Sequence, residues 1–240
     1  MKKKIVALCL CVALAVVAIG GATLAYFTDT DEAKNTFTVG NVEIKLDETN
    51  VDDPQGDRVR ENSYKLIPGV SYVKDPTITV LEGSEDCYVR MKVTLNNASK
   101  IIAMCTDPEF AEDGPTGVED AFPLIRMINF VEENAAKWDG IIPDNMVDTE
   151  EMLANAKYCV YDKEADTITY TFYYNDVVSA ADADAALETL FDEIKVPTWV
   201  TGEQLAALED FQINVVAEAI QTSDNFANAD EAWAAFDAQK

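Results

Sequence analysis

The chain has 240 residues, and its 44 acidic and 18 basic side chains give a formal net charge of −26. A surface this acidic repels nucleic acid and anionic membranes, so both are excluded as partners. The chain has no histidine, which removes the most common general base and zinc ligand, every histidine-dependent triad and the HExxH motif.

The N-terminus has the pattern of a signal peptide. Residues 1–4 carry three lysines, residues 5–19 are apolar, and residues 20–25 are small or weakly polar. This order predicts cleavage after Ala25, with Thr23 at the −3 position and Tyr26 as the first residue of the exported protein. The alternative is an uncleaved anchor, but an apolar run of about 15 residues is short of the roughly 20 that span a bilayer.

The first elements after the leader are extended. Residues 35–46 alternate apolar and polar side chains, with a change of parity at Gly40 that predicts a bulge or tight bend. Residues 47–65 are polar and predict a surface loop. Pro68 and Gly69 predict a turn, and residues 70–81 one or two extended segments.

Three later segments have the clearest strand patterns. Residues 87–95 alternate over nine positions, as in an antiparallel strand with one solvated face. Residues 157–161 and 167–174 flank a loop of about five polar residues and predict a hairpin. Residues 211–221 alternate in the same way and predict a further strand.

Helices are predicted at four places. Residues 148–157 begin with acidic side chains behind Asp148 as N-cap, and residues 179–194 space apolar side chains three or four apart. Residues 201–210 predict a short helical turn. Residues 228–238 carry Trp233 and Phe236 at i and i+3 and predict a terminal helix.

Many short strands without a βαβ rhythm predict a mainly β fold, an antiparallel jelly roll or β-sandwich with inserted short helices and a C-terminal helix. After a signal peptide at 1–25, residues 26–240 are predicted to form a single domain. Its insertions fall around 106–160 and 176–210.

No catalytic or metal-binding residues are predicted. The exported chain keeps Cys87, Cys105 and Cys159, an odd number without CxxC spacing, and Cys87 on the apolar face of its strand is predicted to be a buried, inert thiol. The acidic stretches 29–32 and 182–184 are predicted to bind calcium weakly at most, because neither follows the EF-hand pattern. No other cofactor is expected.

Six segments carry short motifs: GGATLAYFTD at 20–29, NTFTVGNV at 35–42, LIPG at 66–69 with Lys74, YVR at 88–90, AEAIQ at 217–221 and EAWAAF at 231–236. Together these segments resemble the TasA/camelysin family of secreted proteins of Gram-positive bacteria. The resemblance is specific at the N-terminus and covers both ends, whereas residues 100–200 match none of its motifs.

The resemblance implies a jelly roll that is processed by a SipW-type signal peptidase and secreted to the extracellular matrix or cell surface, without a stable membrane span after cleavage. It also implies assembly into biofilm fibres, with other copies and other matrix proteins as partners. The mature N-terminal segment, with Tyr26, Phe27, Thr28 and Asp29 as candidate donor strand, would then complete the sheet of the next subunit.

Two other functions are compatible with the sequence. The first is a monomeric surface adhesin or ligand-binding β-sandwich. The second, and the less favoured, is a camelysin-like metalloprotease, because zinc in a chain without histidine would need carboxylates and thiolates at a spacing that this sequence lacks.

Overall fold

The computed structural model describes residues 28–31 through their backbone, and residues 42–105, 128–140, 157–198, 200–208 and 210–239. Within these residues strands account for 39% and helices for 15%, and the sheets are antiparallel. The predicted mainly β class is therefore confirmed, with few short helices and one of them at the C-terminus. The jelly-roll connectivity stays a prediction.

The largest sheet in the described residues has seven strands, numbered here in chain order. Its main path runs β1, β13, β5, β9, β7, while β8 pairs with β9 and β10 pairs with β5. The bounds are β1 Thr28–Asp31, β5 Ser84–Asn96, β7 Trp138–Asp139, β8 Cys159–Asp162, β9 Thr167–Tyr174, β10 Val178–Ala180 and β13 Ile213–Gln221.

Two three-stranded sheets and three α-helices complete the described fold. One small sheet has the order β11, β4, β2 and the other the order β3, β12, β6. The bounds are β2 Ile44–Asp47, β3 Ser71–Val73, β4 Thr77–Val80, β6 Ile128–Phe130, β11 Ala185–Ala186, β12 Phe191–Lys195, α1 Ala98–Cys105, α2 Gly202–Ala206 and α3 Ala229–Asp237; a 3₁₀ helix spans Ala135–Lys137.

Strand β5 shows how the alternating pattern builds the core. Its apolar positions, from Cys87 to Leu95 at every second residue, are all fully buried. They share one core with Ile44 and Ile78 of the first small sheet and with Phe191 and Ile194 of the second. The large sheet thus buries one face against the two small sheets.

The opposite face of the large sheet is covered by α3. Trp233 and Phe236 are buried there and pack with Ile220 of β13 in a second apolar cluster. Asn228 caps the helix by accepting a hydrogen bond from the Glu231 amide. The predicted helix at 228–238 is confirmed within one residue at each end.

Other strand and turn predictions are also confirmed. The hairpin forms as β8 and β9, the strand at 211–221 forms as β13, and a short helix forms as α2. At the predicted turn the Val70 amide donates to the Ile67 carbonyl, and Gly69 adopts φ 76°, which glycine reaches without strain.

The predicted helix at 179–194 is wrong, because this segment holds β10, β11 and the start of β12. Phe191 and Ile194 are both buried at a spacing of three, as on a helix face. The cause is an irregularity of register between Phe191 and Glu193 where β12 pairs with β6. A bulge shifts side-chain parity by one, so two inward residues stand three apart.

Helix α1 was not predicted, because its N-terminus is capped from a distant part of the chain. The Asp166 carboxylate accepts hydrogen bonds from the amide and hydroxyl of Ser99, and the Asp166 carbonyl accepts one from the Ala98 amide. A cap from 67 residues away leaves no local pattern.

Some predictions fall on residues outside the described ranges. These are the strand at 35–41, most of the helix at 148–157 and much of the insertion around 106–160.

Candidate assembly site

The N-terminal strand β1 lies at the edge of the large sheet. It pairs antiparallel with β13, so that Thr28 stands opposite Ile220 and Asp31 opposite Ala217. On its other side β13 pairs with β5 along its full length. The residues of β13 opposite β1 are therefore enclosed between two strands, and β1 supplies the outer one.

Half of the predicted donor segment lies in this strand. Thr28 and Asp29 begin β1, which continues to Asp31. The other predicted site residues, Thr23, Ala25, Tyr26 and Phe27, lie outside the described residues. Within one chain the segment completes its own sheet, and donation to a neighbouring subunit stays a prediction.

The four residues of β13 opposite β1 alternate between two environments. Ala217 and Ala219 are fully buried in the main core. Ile220 belongs to the cluster under α3, and Glu218, which is 2% exposed, contacts Arg90 on that same face. Strand β13, with which β1 pairs, is thus packed on both of its faces.

A buried arginine joins β13 to the C-terminal helix. Arg90 of β5 stands directly opposite Glu218 in the strand register and is 1% exposed. Its Nε donates to Glu218 Oε2 at 2.6 Å, and its two terminal nitrogens donate to the Asp237 carboxylate at 2.9 and 2.5 Å. Lys92 Nζ lies 3.4 Å from the same Glu218 oxygen.

Aromatic rings enclose the arginine side chain. The guanidinium carbon of Arg90 lies 4.3 Å from the ring centroid of Trp233 and 5.1 Å from that of Phe236. Burial alone would lower the pKa of Arg90, but the Asp237 hydrogen bonds and the Glu218 charge raise it above its ordinary value. The guanidinium therefore remains charged inside the protein, paired with two carboxylates and within cation–π distance of two rings.

The residues of this cluster are visible in the sequence, but no sequence pattern assigns them a shared role. Arg90, Glu218 and Trp233 each lie in a segment that carries the family resemblance, yet nothing in the sequence joined them. The available signal was the opposite charges of Arg90 and Glu218 on the polar faces of the two longest strands. These charges are expected to pair only once the register of the two strands is known.

A second charged network fixes the loop after β2. Arg58 donates to the Asp47 carboxylate at 2.6 Å and to the Asp75 carboxylate at 2.9 Å, and it also reaches both of their backbone carbonyls. Burial would raise the pKa of Asp75, but hydrogen bonds from the Thr49 amide and Arg58 outweigh it and lower that pKa. The predicted surface loop is thus held in place by an arginine.

A buried ion pair lies beside that network. Lys74, which belongs to the family resemblance, donates to Glu48 at 2.7 Å, and both side chains are buried. The other Glu48 oxygen accepts a hydrogen bond from Asn62 at 3.0 Å. Lys74 therefore anchors the loop to the strand region between β3 and β4.

A groove of about 1300 Å³ opens between this loop, α2 and the first half of β13. Its walls mix apolar side chains such as Leu66, Leu205 and Phe211 with charged ones such as Lys74 and Asp210. The size suits a small ligand or an extended peptide. A ligand-binding role would use this groove.

The residues that the structure describes do not supply a zinc site. The sequence supplies no histidine, and within the described ranges no three cysteine or acidic side chains cluster around a point. Zinc sites in proteins use thiolates, imidazoles and carboxylates in close, usually tetrahedral sets.

Both cysteine side chains that the structure describes are buried and free. Burial raises the pKa of Cys87 to about 12, and the neighbouring charge of Asp86 adds to that shift. Burial alone raises the pKa of Cys159 to about 12. The predicted burial of Cys87 is confirmed, and a thiol with such a pKa is a poor nucleophile and metal ligand near neutral pH.

Fold and site together define an antiparallel β protein whose N-terminal strand completes an edge of its own large sheet. Residues 1–64 match the sequence model of a family described as camelysin metallo-endopeptidase. The resemblance to the TasA/camelysin family is confirmed for that N-terminal region. Comparisons with curated proteins and with solved structures found no match.

Among the helices that the structure describes, none is long and apolar enough to cross a bilayer.

Proposed function

We propose that the protein is a secreted structural subunit of extracellular matrix or biofilm fibres, joined head to tail by exchange of the N-terminal strand. The observation that carries the proposal is the pairing of Thr28–Asp31 with β13. The N-terminal region that matches the camelysin family thus includes a strand complementary to an edge of the same chain. That complementarity is what a donor strand needs.

Exchange between copies would keep the same contacts. If β1 of one subunit leaves its own sheet, the edge of β13 can accept β1 of a neighbour with the same backbone hydrogen bonds. A strand of four residues has few bonds to break. Because each subunit would donate at one place and accept at another, the contact would not close and would propagate as a fibre.

The proposal includes a route to the cell surface. A SipW-type signal peptidase would cleave between Ala25 and Tyr26, and the exported chain would assemble with other copies and with other matrix proteins outside the cell. No enzymatic activity, cofactor or nucleic-acid partner is proposed. Weak calcium binding by the acidic stretches is the only metal contact proposed.

The first test compares two chains by electron microscopy and size-exclusion chromatography. One begins at Tyr26, and the other begins at Thr36 and therefore lacks β1. Filaments or a ladder of oligomers from the longer chain alone would support strand exchange. Monodisperse monomers from both chains, across a range of pH and calcium concentration, would overturn it.

A peptide experiment tests the acceptor edge directly. A synthetic peptide of residues 26–35 should bind the chain that begins at Thr36 and raise its melting temperature. The matched control replaces Asp29 and Thr30 by proline. Alternate residues of an antiparallel strand bond to the partner, so one of two adjacent prolines must remove such a bond. Equal binding of both peptides would contradict addition as a strand.

The groove beside β13 favours a second candidate, a monomeric surface adhesin or ligand-binding module. This function predicts that the two chains are equally monomeric and that a ligand raises the melting temperature. Substituting Leu205 or Phe211 in the groove wall by Asp should then abolish the thermal shift and leave the oligomeric state unchanged.

A camelysin-like protease is the least favoured function. The family description names a metallo-endopeptidase, but the donor groups of the described residues do not fit zinc. Cleavage of a peptide library by zinc-treated protein, abolished by a chelator, would overturn the non-enzymatic proposal.

A further inference from the structure

The buried pair of Arg90 and Glu218 lies in the same cross-strand row of the large sheet as a residue of β1. Across the strands, Thr30 of β1 stands opposite Glu218, Glu218 opposite Arg90, and Arg90 opposite Tyr173 of β9. On β13 the two residues that face α3 within the stretch paired to β1 are Glu218 and Ile220. The C-terminal helix therefore covers the part of β13 that holds the N-terminal strand.

The position of Asp237 indicates that α3 is held by Arg90. Asp237 is the last residue of α3, and the last turn of the helix carries no basic side chain. A negative charge at a helix C-terminus is unfavourable, because the carbonyl end of the helix dipole is itself negative. The compensating interaction is the pair of hydrogen bonds from Arg90 at 2.9 and 2.5 Å.

We propose that α3 is a latch on the N-terminal strand. Contact of Asp237 with Arg90 holds α3 over Glu218 and Ile220 and keeps β13 in the shape that retains β1. When α3 lifts, water reaches the Arg90–Glu218 pair, and β13 loses its packing on one face. Strand β1 then leaves its own sheet more readily. The role of the latch in fibre assembly rests on the proposed function, whereas its effect on β1 does not.

The test uses hydrogen exchange measured by mass spectrometry on monomeric protein that begins at Tyr26, a chain that retains every described residue. The variant is Asp237→Ala, and the matched control is Asp230→Ala on the same helix. Asp230 is also in an ion pair, with Lys157 at 3.1 Å, but it makes no contact with Arg90 among the contacts described for it. Both substitutions remove one charge and introduce the best helix former.

The intrinsic effects of these charges on helix stability predict the opposite ranking of the two variants from the latch. Asp237→Ala removes an unfavourable charge from the C-terminus, whereas Asp230→Ala removes a favourable one from the first turn. The latch predicts that only Asp237→Ala speeds exchange in peptides covering residues 28–31 and 217–220, by about tenfold, the loss expected for hydrogen bonds between charged groups. Exchange in β4, which lies in one of the two small sheets, should not change.

Three results would overturn the latch: unchanged exchange at β1 in Asp237→Ala, an equal effect of Asp230→Ala, or faster exchange throughout the protein, β4 included. The outcome is independent of fibre formation, because it is measured on the monomer. If Asp237→Ala frees β1 and no filaments ever form, the latch stands and strand exchange between copies fails.

Discussion

Asp237, the last residue of the C-terminal helix, accepts hydrogen bonds from both terminal nitrogens of Arg90, which lies at the centre of the large sheet 147 positions earlier in the chain. The third nitrogen of the same side chain donates to Glu218 on the neighbouring strand. One guanidinium thus joins β5, β13 and α3. Its planar fork suits this role, because lysine offers no such fixed pair of donors.

Replacing Arg90 by methionine should destabilise the protein by about 3 kcal/mol. The substitution keeps much of the apolar volume but leaves Glu218 buried without its principal partner, and breaking a buried ion pair on one side typically costs about 3–5 kcal/mol. The lower end is expected because Lys92 remains 3.4 Å from Glu218. Urea unfolding of the protein that begins at Tyr26 measures the change.

The control for this prediction is Lys92→Met on the same strand. Its side chain is partly exposed, so its loss should cost less than about 1 kcal/mol. The double variant Arg90→Met with Glu218→Met removes both buried charges and should recover part of the stability lost by Arg90→Met alone. A double variant less stable than the single one would contradict this account of the cost.

The elements that the sequence predicts correctly are those whose pattern is local. Strand β5 carries its alternation from Cys87 to Leu95, and α3 carries both its Asn228 cap and its buried aromatic pair. Strand β12 was mistaken for a helix because a bulge spaced Phe191 and Ile194 as helix residues are spaced. Periodicity alone cannot separate a bulged strand from a helix where only a few buried positions carry the pattern.

The charged contacts of the site depend on register and on long-range packing. Arg90 and Glu218 are 128 positions apart, and no local rule pairs them. Arg58, in a loop of polar residues, reaches Asp47 and Asp75 only because β2 and β4 lie side by side. The N-terminal segment was predicted to be a strand donor, whereas its pairing with β13 of its own chain required the structure.

Helix α1 offers a test of a cap supplied from outside the helix. Asp166→Gly removes the carboxylate that accepts from Ser99, and it adds no backbone strain because Asp166 has φ 53°, a conformation glycine adopts freely. The expected loss is about 1 kcal/mol in the free energy of unfolding, as for an ordinary N-cap.

The matched variant Asp166→Asn keeps an oxygen acceptor and tolerates the same backbone conformation. It should therefore lose less stability than Asp166→Gly in the same urea titration. Equal stability of the wild-type protein and Asp166→Gly would show that the distant cap does not hold α1.

The buried thiols should resist labelling in the folded protein. Burial raises the pKa of Cys87 and of Cys159 to about 12, so near pH 8 almost none of either thiol is the reactive thiolate. In the variant Cys105→Ser that begins at Tyr26, iodoacetamide should modify neither cysteine under native conditions and both in urea. Native labelling of either, at the rate of an exposed thiol, would contradict the burial.

The loop network should give the protein a specific sensitivity to acid through Asp75. Although burial opposes it, the hydrogen bonds from Thr49 and Arg58 lower the pKa of Asp75 below its ordinary value. Its stabilising contribution is therefore fully present above the pKa that it has in the unfolded chain, and is lost as the pH falls through its lower, folded pKa. Asp75→Asn should be less stable than the wild-type protein at about pH 7, and the difference should shrink at about pH 3.

Asp52→Asn, at an exposed position of the same loop, is the control and should show little difference at either pH. A stability gap between Asp75→Asn and wild type that stays constant across this range would show that the Asp75 charge does not support the loop.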